Sequence, residues 1–283
     1  RTGLATKVAA HLPEPMLDIH PQDASRLGIA AGELAKIVSP HGQSILRARI
    51  TDDVPSGQVF APIHWTAETA PSARIDALIP GAVDPLSGQP ESKAAVVNVT
   101  GFRAAWYGFA VAQGDMALTS AYWAKATTEA GTRAELAGDA DVAVWDDYAR
   151  LIFDLPDADA VSFTDTAQGR VRLAFHHTST RVAALFIDRK PLGSMRDYLA
   201  TRPGQSVDGI LLGRAPADML DPGPVVCSCF NVGLLSISRA VEAKGLMSVE
   251  EIGAALQAGT NCGSCRPELA QILAQIQTPA AAE

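Results

Sequence analysis

Four cysteines, placed as Cys227-Ser228-Cys229 and, 32 residues later, Cys262-Gly263-Ser264-Cys265, limit the possible folds of this chain more tightly than any other feature. Two close pairs of thiols, each in a tight turn, can converge on one centre, and four thiolates suit either a 2Fe-2S cluster or a structural zinc. Zinc knuckles usually space their cysteines by two to four residues, and the first arm here is one residue short. An extended C-x-C segment points its two thiols to the same side. That arrangement suits two thiolates on one iron of a rhomb, with the second arm serving the other iron. The cluster is therefore the preferred reading and zinc the alternative. Disulfides are disfavoured, because the chain shows no apolar leader and four cysteines in 283 residues do not make a disulfide scaffold.

The residues between the arms predict short helices. Leu234, Ile237, Ala240 and Val241 recur at helical spacing before Gly245. Ser248-Val249-Glu250-Glu251 has the form of a capping box, predicting a second helix from Val249 to Ala258 that Gly259 stops. Pro267 opens a third, with Leu269, Ile272, Leu273 and Ile276 as its apolar stripe. Gly263 and Ser264 leave backbone N–H groups free to point at sulfur, which raises a cluster's potential.

Val226-Cys227-Ser228-Cys229-Phe230-Asn231-Val232-Gly233 and Gly259-Thr260-Asn261-Cys262-Gly263-Ser264-Cys265-Arg266-Pro267-Glu268-Leu269 resemble the bacterioferritin-associated-ferredoxin type of 2Fe-2S domain, in the form carried at the end of nitrate and nitrite reductases. The likeness covers about residues 222 to 277. It implies a small all-α iron-sulfur domain with Cys227, Cys229, Cys262 and Cys265 as metal ligands.

The length favours more than one domain. A net charge of −8 argues against nucleic acid and anionic membrane as partners, and no stretch reaches the roughly 18 apolar residues of a membrane span. A cytoplasmic location is the default expectation. The chain starts at Arg1 in sequence that already reads as structured, so it is expected to be the downstream part of something longer.

The first hundred residues read as β-rich. Met16 to His20 alternates as a strand, and Pro21 to Leu27 forms a short helix between a proline and Gly28. Ala35 to Ser39 and Ser44 to Ile50 form a hairpin across Pro40-His41-Gly42, and Val59 to Pro62 is a further strand. Thr66 to Ser92 is a long polar excursion, of a length often associated with function, and strand character returns at Ala94 to Val99. A closed β-barrel fits this pattern.

Glu14-Pro15-Met16, Ile19-His20-Pro21, Gly57 to Trp65 and Asp84 to Lys93 resemble the molybdopterin-dinucleotide-binding domain that closes molybdenum oxidoreductases of the dimethyl-sulfoxide-reductase type. The resemblance implies a double-psi β-barrel over about residues 1 to 100. It also implies cofactor contacts at Lys93, at Ile63 and Ser72 in place of the family's aromatic residue and asparagine, and at Thr2 and Gly3 on the edge of another contacting run. His64 and Trp65 read either as a stacking pair or as a satisfied histidine beside a buried aromatic. His20 and His41 read as capping or turn residues, and His176-His177 lack partners at ligand spacing.

Between these units, Arg133 to Phe153 is expected to be helical, with a meander over Ser162 to Thr166, Arg170 to Phe175 and Arg181 to Asp188 and a short helix over Leu192 to Leu199. Trp106 to Ala110 and Tyr122-Trp123 place aromatics where a barrel could dock, although an ordinary core is the preferred reading. The run from Gly209 to Pro216 resembles the linker of assimilatory nitrate reductases.

The expected organisation is a β-barrel over 1–105, an α+β spacer over 106–221, the iron-sulfur domain over 222–277 and a frayed tail over 278–283. Together the resemblances imply the C-terminal part of an assimilatory nitrate reductase catalytic subunit, not catalytic by itself. It would share a molybdenum bis(molybdopterin guanine dinucleotide) cofactor and a 4Fe-4S cluster with an upstream part. Electrons would come from an NAD(P)H-dependent reductase subunit, a ferredoxin or a flavodoxin. A formate dehydrogenase fragment and a non-catalytic 2Fe-2S module for redox sensing or iron handling are the alternatives.

Overall fold

The computed structural model describes residues 12–128, 131–177, 180–192, 211, 220, 222–227 and 229–277, excepting the side chains at 177 and 180–182. Thr2, Gly3, most of the expected helix at 192–199, most of the 209–216 run and the 278–283 tail lie outside these residues. The described residues are mostly β with a few helices, and none of those helices is long and apolar enough to cross a membrane.

Five strands form a half-barrel sheet: β1 (Met16–Ile19), β2 (Leu34–Val38), β3 (Gln43–Ile50), β4 (Val59–Phe60) and β5 (Asn98–Gly101), in the order β4-β1-β3-β2-β5. β1 runs parallel to β3 and the other pairs are antiparallel. A parallel pair needs a crossover, and α1 (Pro21–Leu27) begins it. His20 caps α1 by accepting from the Gln22 N–H, and Gly28 closes it at φ 65°. Asp23 on α1 accepts from the Gly57 N–H at 2.6 Å, fixing the turn that leads into β4. The strand expected at Ala94 to Val99 joins the ladder only from Asn98, where it meets Val38 of β2.

The middle region is a six-stranded antiparallel sheet. Its strands are β6 (Trp106–Ala112), β7 (Tyr122–Thr128), β8 (Gly131–Gly138), β9 (Asp159–Asp165), β10 (Arg170–His177) and β11 (Thr180–Asp188), in the order β7-β8-β6-β11-β10-β9. The expected meander is present as β9, β10 and β11. The expected helix over Arg133 to Phe153 is not: 131–138 is strand β8, and only α2 (Trp145–Phe153) is helical. Arg133, Ala134, Glu135 and Leu136 have good helix propensity, but here pairing and burial outweigh it. Residues two apart share a face on a strand and not on a helix, and β8 uses that period to turn Ala134 and Leu136 towards α2 while Glu135 and Ala137 face the half-barrel.

Tyr107, Tyr122, Ala124 and Ala137 of this sheet share one core with Leu17, Ile19, Leu34 and Leu46 of the half-barrel, so the two units are packed as one body. A buried charged cluster crosses their boundary. Arg47 on β3, 3% exposed, donates to Glu14 at 2.7 Å and to the Gly32 carbonyl, and lies 3.9 Å from Glu135. Tyr122, on the other sheet, donates its hydroxyl to Glu14 at 2.9 Å. Arg133 pairs with Glu135 at 3.0 Å. Burial pushes the Arg47 guanidinium down, but Glu14, Tyr122 and Glu135 around it more than offset this, and its pKa is raised.

The tail carries its own core, formed by Val226, Ile237, Val241, Ile252, Leu269 and their neighbours. Three helices, α3 (Leu234–Lys244), α4 (Val249–Leu256) and α5 (Arg266–Gln277), follow a short antiparallel ladder of β12 (Val225–Cys227) and β13 (Val232–Gly233). The tail is thus helical with a two-stranded element added. Gly233 caps α3 without a side chain, and the Pro224 and Pro222 carbonyls take the Leu234 and Leu235 N–H groups instead. α4 has half of the expected box: Ser248 accepts from the Glu251 N–H, whereas the Glu251 carboxylate accepts from the Met247 N–H and not from that of Ser248. Its C-cap is Gln257 at φ 63° and not Gly259.

Candidate metal centre and the adjoining cavity

The ladder and the start of α5 bring the two cysteine arms together. Cys227 ends β12, and Cys229 follows in the turn to β13. Cys262 lies in the loop after α4, and Cys265 precedes the first residue of α5. The sulfurs meet across the arms: Cys229 Sγ is 3.4 Å from Cys262 Sγ, and Cys227 contacts Cys265. Two thiolates on one tetrahedral ion at about 2.3 Å stand roughly 3.8 Å apart, so the 3.4 Å between Cys229 and Cys262 is within reach of a shared inorganic centre. Among the described residues no three of His, Cys, Asp and Glu gather closely enough around one ion. The arrangement is two pairs, each taking one sulfur from each arm.

The pairs differ in surroundings. Cys227 and Cys265 are buried, 2% and 5% exposed, whereas Cys262 is exposed and Cys229 half-buried. Ser264 holds the Cys262 thiol down to about 7, first through its hydroxyl and then through its backbone N–H, with Cys229 contributing further. Burial pushes the Cys265 thiol up to about 11, with Cys227 adding to the rise. The Gly259 N–H also bonds to Cys265, so Gly259 has a task at the sulfur site in place of the helix stop expected of it. At φ 79° it adopts a left-handed conformation that favours glycine. All four groups become thiolates on binding metal and release their protons. A donor set of four sulfurs in two adjacent pairs fits a 2Fe-2S rhomb.

A cavity of about 1070 Å³ lies beside this centre. Arg49, Ile63, His64 and Lys93 form part of its half-barrel wall, and Ser264 and Glu268 part of its tail wall. Lys93 and Ile63 are both exposed there. Ser72 is not on that wall; its hydroxyl is buried and has no hydrogen-bond partner among the described residues. His64 and Trp65 part company: His64 faces the cavity, while Trp65 is 5% exposed within the half-barrel core. Arg49 was not anticipated, because a mid-strand arginine carries no motif. It pairs two-pronged with Asp18 at 2.6 and 2.7 Å, and that pairing raises its pKa. Asp18, Asp53 and Glu268 share this lining with Lys93, Arg49 and His64; Arg49 is engaged by Asp18, so the Lys93 ammonium is the cation there that could meet a phosphate.

Comparison with known proteins agrees with both halves of this geometry. Residues 1–96 match the family described as "Molydopterin dinucleotide binding domain", and residues 225–275 match the "BFD-like [2Fe-2S] binding domain". Over 97% of its length the chain is 30% identical to a nitrate reductase of Klebsiella oxytoca, of which it covers 32%. A stretch amounting to 35% of the chain is 33% identical to the assimilatory nitrate reductase catalytic subunit of Bacillus subtilis, covering 14% of that protein. Another of the same share is 34% identical to the F420-dependent formate dehydrogenase subunit alpha of Methanocaldococcus jannaschii, again covering 14%. The chain therefore spans about a third, or less, of these relatives.

Proposed function

We propose that this chain, in which a molybdopterin dinucleotide-binding domain is joined to a BFD-like 2Fe-2S domain, is the cofactor-binding and electron-accepting part of a molybdenum nitrate reductase. The observation that carries the proposal is the position of the cysteine loop, whose Ser264 lines the same cavity as Lys93 and Ile63. The cluster supplies one-electron storage between a donor and a two-electron centre. Cys227, Cys229, Cys262 and Cys265 hold it, with the exposed Cys229–Cys262 side facing the donor. Lys93 binds one end of the molybdenum cofactor through its phosphates, and Ile63 packs beside it. Thr2, Gly3 and Ser72 remain proposed contacts on the family pattern.

In this reading the half-barrel is completed as a double-psi barrel over 1–105, residues 106–221 position the cluster domain, and 222–277 form it. The protein works in the cytoplasm with an NAD(P)H-dependent reductase, a ferredoxin or a flavodoxin as donor, and an upstream part supplies a 4Fe-4S cluster and the nitrate site. Similarity to the Klebsiella nitrate reductase along almost the whole chain favours nitrate over formate, since the Methanocaldococcus formate dehydrogenase aligns with only about a third of it.

Absorption and electron-spin spectra of the anaerobically purified chain test the metal assignment, with two irons and two sulfides per chain expected. A colourless, zinc-loaded protein overturns it. In the full-length enzyme, Cys265→Ser is expected to abolish nitrate reduction by the protein donor while sparing reduction by a small viologen dye. Equal loss with both reductants would contradict a role in accepting electrons.

A further inference from the structure

We propose that the Ser264 hydroxyl sets the reduction potential of the cluster by donating a hydrogen bond to the Cys262 sulfur; this rests on the reading of the four thiols as cluster ligands. Ser264 Oγ stands 3.1 Å from Cys262 Sγ. Between a free thiol and a hydroxyl either group can donate. Once the sulfur holds iron it is a thiolate with no proton, and only the hydroxyl can. Such a bond strengthens as negative charge builds on the sulfur, so it favours the cluster that has taken up an electron.

The backbone explains why this side chain is aimed at the sulfur. Gly263 adopts φ 73°, and a Cβ there would meet only Arg266 at an ordinary 3.6 Å, so conformation and not space calls for glycine. The turn carries Cys265 inward, while Ser264 stays exposed and doubles back onto Cys262. Cys262 is the exposed ligand, where mobile water would otherwise solvate the sulfur. The hydroxyl puts a fixed donor in its place, on the side of the loop that lines the cavity.

The test compares the full chain, purified anaerobically with its cluster, against S264A and S264T. Iron and sulfide content, visible absorbance and electron-spin signal are followed through a redox titration. S264A is expected to keep its iron and to disfavour the reduced state about tenfold, a fall of about 59 mV for a one-electron couple. S264T, which keeps the hydroxyl at an exposed position, should restore most of the shift. Unchanged potential in S264A overturns the proposal, and so does a shift in S264T as large as that in S264A. If S264A cannot retain iron, the residue serves assembly and the proposal fails. A wild-type chain that binds no iron defeats the underlying reading, and differs from those outcomes in its metal content before any variant is compared.

Discussion

Arg47 is the residue on which the joint between half-barrel and middle sheet turns. It is enclosed by Glu14 and Glu135 and lies over the Tyr107 and Tyr122 rings at 5.8 and 5.7 Å. Removing one partner of a buried ion cluster strands the other's charge, so Arg47→Met is expected to cost about 3–5 kcal/mol in urea unfolding. A loss below about 1 kcal/mol would show that the carboxylates are solvated in the native state. Asp23 has a milder part, which pH exposes. The Gly57 N–H, with Arg26 beside it, holds its carboxyl below the usual 3.8 despite some desolvation. A depressed carboxylate stabilises the fold above its unfolded value, and that contribution is lost as pH falls through the lower folded value. Asp23→Asn should therefore flatten the acid limb of the stability curve below about pH 4; an identical limb in wild type and variant would refute this.

Within single elements, the decisive features are caps and close backbone approaches. Ser248 at the start of α4 satisfies the Glu251 N–H at 3.2 Å, and Ser248→Ala should destabilise the tail by about 0.5–2 kcal/mol, measured as lost helical signal on heating. Gly233 is more severe. A Cβ there would collide with the Pro222 carbonyl, which also receives the Leu235 and Ser236 N–H groups in the first turn of α3. Gly233→Ala must therefore displace β13 and with it the partner strand of Cys227. Iron content per chain is expected to fall well below that of wild type, and a fully loaded variant would show that the ladder does not position the thiols. The cap at Ser248 was legible, because its chemistry is local to four consecutive residues. The strand at 131–138 was not, because a decisive neighbour, Arg47 beside Glu135, comes from a distant part of the chain.

Across the whole molecule the cores divide into two sets. One joins the half-barrel to the middle sheet, and the other, around Ile237, Ile252 and Leu269, consists of tail residues alone. Metal binding to the tail should therefore be coupled to the folding of α3, α4 and α5 and not to that of the sheets. Chelating the iron is expected to remove most helical circular dichroism of the tail and leave the β signal and its unfolding midpoint in place. A single transition that shifts as one on chelation would mean that the cavity wall transmits stability between the two.

The chemistry that depends on near neighbours in sequence was readable from the chain itself. The four thiols and their arms, the Ser248 side-chain cap and the short helix between Pro21 and Gly28 each depend on a few consecutive residues. Packing over long separations decided the rest. It set Cys229 against Cys262 and Cys227 against Cys265, drew a helix-prone stretch into a sheet, and turned Trp65 inward while His64 faces the cavity beside the cysteine loop. The physical reason is range: a cap or a turn is settled by bonds a few residues apart. Which sulfur meets which, and which face of a strand is buried, depends on surfaces that become neighbours only when the chain is folded.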